Sequence, residues 1–236
     1  MNKQIYLSFH NRLFDTIIRR KRVEIIQIIQ QELKQFRIRD CLDIGTTPDD
    51  KNKSSNFIVK NLKKNFEYKS YSNCEIEDAF FLVSKNGSIT EDLSEEKMNY
   101  LKSDVVLSSA TIEHVGSYEN QKKMIKNVAL LTNKIFFITT PNKYYPIDFH
   151  SKLPLVNMLP NNIFRKILKF FNFEYLSKEE NLNLLSLKDL KNFLLETKIH
   201  KDFDIKIKHI RLFFIKSNFI IIGTKKTQTV DHSINI

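Results

Sequence analysis

Glycine is scarce in this chain, 4 in 236 residues, and tryptophan is absent. Neither G-x-G-x-x-G nor G-x-x-x-x-G-K-[ST] occurs, which argues against dinucleotide and Walker-type phosphate binding. Two cysteines are too few for a disulfide framework. Cys41, inside RDCLDIG, reads as a core residue, and Cys74 follows a predicted strand end. Long apolar runs are also missing. The longest candidate, LFFIKSNFIIIG, is broken by Lys216 and Asn218, well short of the roughly 18 residues of a membrane span. The first residues, MNKQIYLSFHNRLF, carry no apolar signal core. Together these absences predict a cytoplasmic protein with no transmembrane segment.

What is present is enough for a packed core: 42% hydrophobic and 11% aromatic residues. The length predicts one domain over 1–236. The net charge is +11, which raises the question of a nucleic-acid partner. Lysine is spread along the whole chain and no nucleic-acid motif accompanies it. The charge therefore reads as solvated surface, and nucleic acid is not expected as a partner.

Hydrophobic spacing orders the elements. Leu13, Ile17, Val23, Ile26, Ile29 and Leu33 predict a helix over 10–36. A strand over 40–44 leads into the turn Gly45-Thr46-Thr47-Pro48-Asp49-Asp50. Ser54 or Ser55 is expected to cap a helix over 56–64. Strands follow at 66–72 and, after a turn at Gly87, at 88–90. Residues 104–107 and 135–138 read as strands flanking a helix over 119–132, the strand–helix–strand unit of a parallel sheet. The aromatic, proline-bearing stretch 143–180 reads as an insertion or cap with one helix over 162–171. Ser186 caps a helix over 187–197. Two final strands, 203–214 and 219–224, meet at a tight turn over 216–218, so this pair is antiparallel. The fold class is α/β: a single doubly wound, mostly parallel sheet with helices on both faces and an antiparallel terminal strand pair.

In such a sheet, polar side chains meet a ligand at the C-terminal ends of the strands. Asp43 and Gly45 lie there in CLDIGTTPD. Gly45 lets a ligand approach the backbone, and Asp43 can accept from a cationic amine. Ser108 and Ser109 end the strand of DVVLSSATIEHVGS, and Asn142 follows the strand of FFITTPN.

These segments, with SITEDLS between them, resemble in order and spacing the class I S-adenosylmethionine-dependent methyltransferases, most nearly methyltransferase type 11. The resemblance covers about residues 38–142, extended to about 225 by the terminal strands. It implies a Rossmann-like methyltransferase fold with S-adenosylmethionine as cofactor. Asp43 and Gly45 match the family's first motif and would face the methionine part, with Thr46 and Thr47 in the turn. The family's second glycine is missing there. Asn73 stands near the place of the acid that usually grips the ribose. Glu91 and Asp92 match the acidic position near the adenine amino group, and Leu93 would pack on the ring. Ser108, Ser109 and Ala110 would lie beneath the sulfonium. Glu113-His114-Val115 matches the family's common Glu-His-Val.

Methyl transfer needs alignment and exclusion of water more than a catalytic triad. A base is required only when the acceptor must lose a proton. His114 and His150 are the candidates for that role, and Asp148 would orient His150 if the backbone brought the two together. Asn142, Tyr145 and Asp148 are the candidate substrate contacts. The apolar, basic-studded stretch LPLVNMLPNNIFRKILKFFNF reads as a substrate-side cap or a membrane-surface segment. The expected acceptor is a small or lipid-linked molecule, with peripheral membrane contact. No histidine has paired spacing to another ligand, so no metal site is expected. The alternative reading is a methyltransferase-like binding or regulatory protein without turnover.

Overall fold

The computed structural model describes residues 12–48, 55–62 and 66–227. A 22-residue helix, α1 (Arg12–Leu33), precedes the sheet. Its Ile25, Ile26, Ile29 and Leu33 are buried, while Val23 faces out. The sheet has seven strands: β1 (Asp40–Ile44), β2 (Glu67–Ser72), β3 (Val83–Asn86), β4 (Ser103–Ser109), β5 (Thr132–Pro141), β6 (Phe203–Leu212) and β7 (Ile215–Lys225). Their order is β3-β2-β1-β4-β5-β7-β6. The first five pair in parallel, and β7 runs antiparallel to both β5 and β6. The expected antiparallel pair is thus present, and β7 is wedged between β5 and β6.

Period-2 alternation along the strands makes two cores. Leu42, Ile44, Val106, Phe136, Ile138 and Ile221 face one way, against α4 (Tyr118–Leu131) and α6 (Leu187–Thr197). Cys41, Val105, Leu107, Ile135, Phe137 and Ile220 face the other way, against α1 and the short α2 (Phe57–Lys60). Each fully buried Leu, Ile or Phe contributes roughly 1.5–3 kcal/mol, so the central strands carry much of the stability. Gly223 in β7 is part of this packing. A Cβ there would stand 2.1 Å from the Phe136 ring, so the aromatic lies directly on the strand backbone.

The structure differs from the sequence expectations in four places. The strand expected after Gly87 lies before it, at Val83–Asn86, and residues 89–90 form a turn. Pairing with β2 selects the more polar segment as the edge strand. A helix not expected from the sequence, α3 (Glu95–Leu101), is capped by Ser94, whose side chain accepts from the Lys97 amide. α2 spans only four residues, and Ser55 does not cap it. Asn56 stands at its N-cap without a capping hydrogen bond, its side chain spent on Thr47. Ser54 lies outside the described residues. The final hairpin turns at Phe213 and Phe214, both with positive φ, rather than at 216–218.

Between β5 and α6 the chain makes a long excursion carrying α5 (Asn161–Phe170). It has a small core of its own around Phe164, Leu168, Leu182 and Leu184. Both of its ends are tied to the sheet. Asn142 donates from its backbone N–H to Ser217 and from its side chain to Lys216. Lys143 donates to Leu185. Ser186 then opens α6 with a full capping box closed by Asp189.

Candidate functional site

The C-terminal ends of β1, β2, β4 and β5 lie side by side, with Ile44 level with both Tyr71 and Ser108 and with Ser109 level with Thr139. Gly45 leaves β1 with φ +84, a conformation costly for residues with a Cβ. A Cβ at this position would lie 2.3 Å from the Thr111 hydroxyl, so Thr111 rests directly on the turn. That hydroxyl donates to the Ile44 carbonyl. Thr46 donates to the Asp43 carboxylate at 2.7 Å. Asp43 is buried, and burial raises its pKa to about 7 against the Thr46 hydrogen bond. Ser72 at the tip of β2 donates to the Thr46 carbonyl, tying the two strand ends together. Thr47 is engaged with Asn56. Asn73, just past β2, is exposed.

The acidic pair beyond β3 has protein partners. Glu91 accepts from Lys97 at 2.5 Å and from the Tyr71 hydroxyl at 2.6 Å. The Lys97 and Tyr71 hydrogen bonds hold its pKa below the usual range. Asp92 has a side chain 98% exposed and pairs with Lys123. Leu93 packs half-buried on the core. At the tip of β4 the Ser108 hydroxyl is buried without a hydrogen-bond partner. Ser109 accepts a long 3.4 Å contact from Thr139, and Ala110 turns the chain outward with φ 53.

Beyond β4 and β5 lies a compact polar cluster. Glu113 and His114 sit in a single 3-10 turn, Ile112–His114, and His150 arrives from the excursion after β5. The His114 and His150 rings meet edge to face at 5.0 Å. The His114 Nδ1 lies 2.6 Å from the Asn181 carbonyl. A carbonyl can only accept, so Nδ1 carries the proton and Nε2 is left as an acceptor. Burial, with the His150 charge, lowers the His114 pKa to about 4. The His150 Nδ1 contacts Asp148 at 3.2 Å, so the backbone does bring that pair together. Burial opposes charging of His150, but the Asp148 hydrogen bond and the Asp148 and Glu113 charges outweigh it, and the pKa is raised. Asp148 is itself fixed by the Ser151 amide and hydroxyl.

Glu113 is fully buried and its pKa is raised by that burial. Its Oε2 accepts from Thr140 at 3.0 Å, and its Oε1 has no partner. Glu113, His114 and His150 each offer one ligand atom, all within 4.8 Å of one another. Sequence reading paired Asp148 with His150 but missed this grouping and its supports Thr140 and Asn181. His150 lies far from the Glu-His pair in sequence, and only the path of the excursion joins them. Of the candidate substrate contacts, Asn142 serves the β5–β7 junction. Tyr145 is buried and stacks on Phe149.

This strand order is that of the Rossmann-like methyltransferase fold. No protein-family model matches the sequence, and no curated protein matches it. Solved structures do. A carbon methyltransferase, CurJ, superposes with TM-score 0.54 at 12% identity over 88% of this chain. This chain spans 54% of that protein's length. The magnesium protoporphyrin IX methyltransferase of Synechocystis PCC 6803, solved with bound S-adenosylhomocysteine, gives 0.51 at 10% identity, covering 89% of this chain and 86% of that one. The small RNA methyltransferase HEN1 gives 0.53 at 10% identity, over 86% of this chain and 25% of that one. The likeness is therefore one of fold, shared with proteins that act on dissimilar substrates.

Proposed function

We propose that this chain is an S-adenosylmethionine-dependent methyltransferase acting on a small or lipid-linked molecule. One observation carries the reading. The buried, unpartnered Ser108 hydroxyl stands at the C-terminal tip of β4, level with the Ile44 that leads into the positive-φ turn at Gly45. A buried hydroxyl without a protein partner calls for a ligand or water to satisfy it. Exposed Asn73 at the neighbouring β2 tip supplies a second donor. These groups fit the polar parts of the cofactor, which when bound supplies an electrophilic methyl group on a sulfonium. In this reading Asp43, Gly45, Thr46, Thr47 and Asn73 shape one side of the cofactor site. Glu91, Asp92 and Leu93 border the adenine, and Ser108, Ser109 and Ala110 form the floor. His114 and His150 face the acceptor, with Asn142, Tyr145 and Asp148 shaping the acceptor side.

The rest of the chain supports a cap over this edge, within a single methyltransferase-like unit spanning 1–236. The excursion 143–180 leaves from the tip of β5, and its α5 with the C-cap residue Phe171 shows Ile163, Phe170 and Phe171 to solvent beside Arg165, Lys166 and Lys169. Leu155, Met158 and Leu159 are exposed in the same excursion. Apolar side chains among cations suit an anionic lipid surface, which supports the lipid-linked acceptor and peripheral membrane contact. Among the described residues no helix is long and apolar enough to cross a membrane.

A second reading, a binding or regulatory protein without turnover, is favoured by Thr111 resting on Gly45 and by Lys97 engaging Glu91. Calorimetric titration with S-adenosylhomocysteine, with NADH as control, tests the cofactor. Micromolar binding of the first alone, about −8 kcal/mol, is the expected result. Absence of binding would remove the methyltransferase reading. Binding without methyl transfer to any acceptor would favour the second.

A further inference from the structure

The buried Glu113 Oε1 is an anomaly. A carboxylate oxygen out of water without a donor costs free energy unless something positive meets it. The protein supplies no hydrogen bond to this atom. Two imidazoles lie beside this carboxylate, with one ligand atom from each of the three residues within 4.8 Å of the others, and each has its Nδ1 tied down, His114 by the Asn181 carbonyl and His150 by Asp148. On His114 this leaves Nε2 as the lone-pair donor, and on His150 Nε2 becomes one when a metal ion takes the place of its proton. A second hydrogen-bonded partner behind each imidazole is the usual arrangement around metal-ligating histidines. Thr140 likewise holds the far oxygen of Glu113.

We infer that Glu113, His114 and His150 bind a divalent transition-metal ion, with Asp148, Asn181 and Thr140 as the groups that orient the three ligands. The separation of up to 4.8 Å between ligand atoms is wider than a closed site requires. Metal–nitrogen and metal–oxygen bonds of about 2.0–2.2 Å would draw the three side chains together by small rotations. Two nitrogens and one carboxylate select zinc, iron(II), manganese or cobalt over magnesium and calcium, which prefer all-oxygen sites. Three protein ligands leave at least one coordination position open. Neither histidine is sealed off completely, His150 keeping 12% of its side-chain surface exposed. An acceptor hydroxyl coordinated there would lose its proton to solvent more readily than a free alcohol. The substrate class that follows, an oxygen nucleophile, rests on the methyltransferase reading. The metal site does not.

The test uses the full chain, stripped with a chelator and titrated with cobalt(II) chloride while visible d–d absorption is recorded. One equivalent should saturate the signal, and zinc chloride should displace it. The His114→Gln/His150→Gln double variant should abolish the absorption, and Asp148→Asn should weaken cobalt binding about 10–100-fold. Cobalt should raise the melting temperature of the wild type and leave that of the double variant unchanged. A folded wild type that shows no cobalt absorption overturns the inference without any variant. So does cobalt binding that survives the double substitution. S-adenosylhomocysteine titration of the same sample separates the two proposals. Cobalt binding without S-adenosylhomocysteine binding would remove the methyltransferase reading and leave the metal site intact.

Discussion

Asp43→Asn isolates the cost of keeping a carboxylate at the end of β1. Burial raises the Asp43 pKa from 3.8 to about 7. In the unfolded chain the group ionises at its ordinary value, so between those two pH values the folded state holds more protons. Stability then falls as pH rises through the window and levels off above about 7. At about 1.4 kcal/mol per unit, a shift of about 3 units corresponds to a loss of about 4 kcal/mol. Asn keeps the shape and can still accept from Thr46, but it has no charge to desolvate. Urea unfolding of wild type and Asp43→Asn should therefore give similar stabilities near the acid end of the window. The variant should draw ahead as pH rises, by up to about 4 kcal/mol above pH 7. A difference that stays constant from about pH 4 to about pH 8, or grows towards acid, would refute the assignment of Asp43 as a desolvated carboxylate.

Four further outcomes are expected. Gly45→Val should abolish S-adenosylhomocysteine binding and lower stability by about 2–4 kcal/mol, from positive-φ strain and the collision with Thr111; calorimetry showing normal binding would mean the cofactor lies elsewhere. Ser186→Ala breaks the capping box of α6 and should cost about 1 kcal/mol in urea denaturation, and an unchanged midpoint would contradict that. Replacing Phe170 and Phe171 by Ser should weaken flotation with anionic vesicles while leaving the melting temperature unaltered. Equal flotation of variant and wild type would rule out this face as the membrane contact. Substituting Asn-Gly for Phe213-Phe214 should stabilise the hairpin by about 1–2 kcal/mol, because both positions have positive φ; a lower melting temperature would show that the phenylalanines are held by contacts worth more than the strain.

Much of the fold was legible because burial writes itself into the sequence. β1 sets Cys41, Leu42 and Ile44 around Asp43, and β4 and β5 are apolar between polar ends, as strands covered on both faces must be. α1, α4 and α6 show helical spacing, and Ser186 with Asp189 announces its own cap. The misreadings fall where packing leaves little trace. β3 is an edge strand of polar residues, VSKN, recognisable only from its pairing with β2. The hairpin turn at Phe213-Phe214 uses residues that normally avoid positive φ, so turn chemistry pointed to the polar residues nearby. Of the candidate site, the sequence marked only the residues at the strand ends. Asp148 before His150 was visible as a local pair, but the meeting of His150 with Glu113 and His114 depends on the whole course of the excursion.

The N-terminal rim of the sheet is the counterpart of all this. There Asp40 accepts from the Asp104 amide and from Lys69, and Asp104 accepts from the Arg39 amide and from Lys134. Two carboxylates thus stitch four neighbouring parallel strands together, with their own charges answered. Among the described residues, the buried side-chain polar atoms without a partner are Ser108 Oγ, Glu113 Oε1, Asn157 Oδ1 and His209 Nδ1. All four lie in the half of the molecule towards the C-terminal ends of β4, β5 and β6 or in the loops beyond them. The sheet is polarised in frustration: one rim is locally satisfied, and the opposite rim holds unmet bonding demand. Substitutions at Asp40 or Asp104 should register as lost stability, whereas those at Ser108 or Glu113 can gain stability while removing whatever the protein binds.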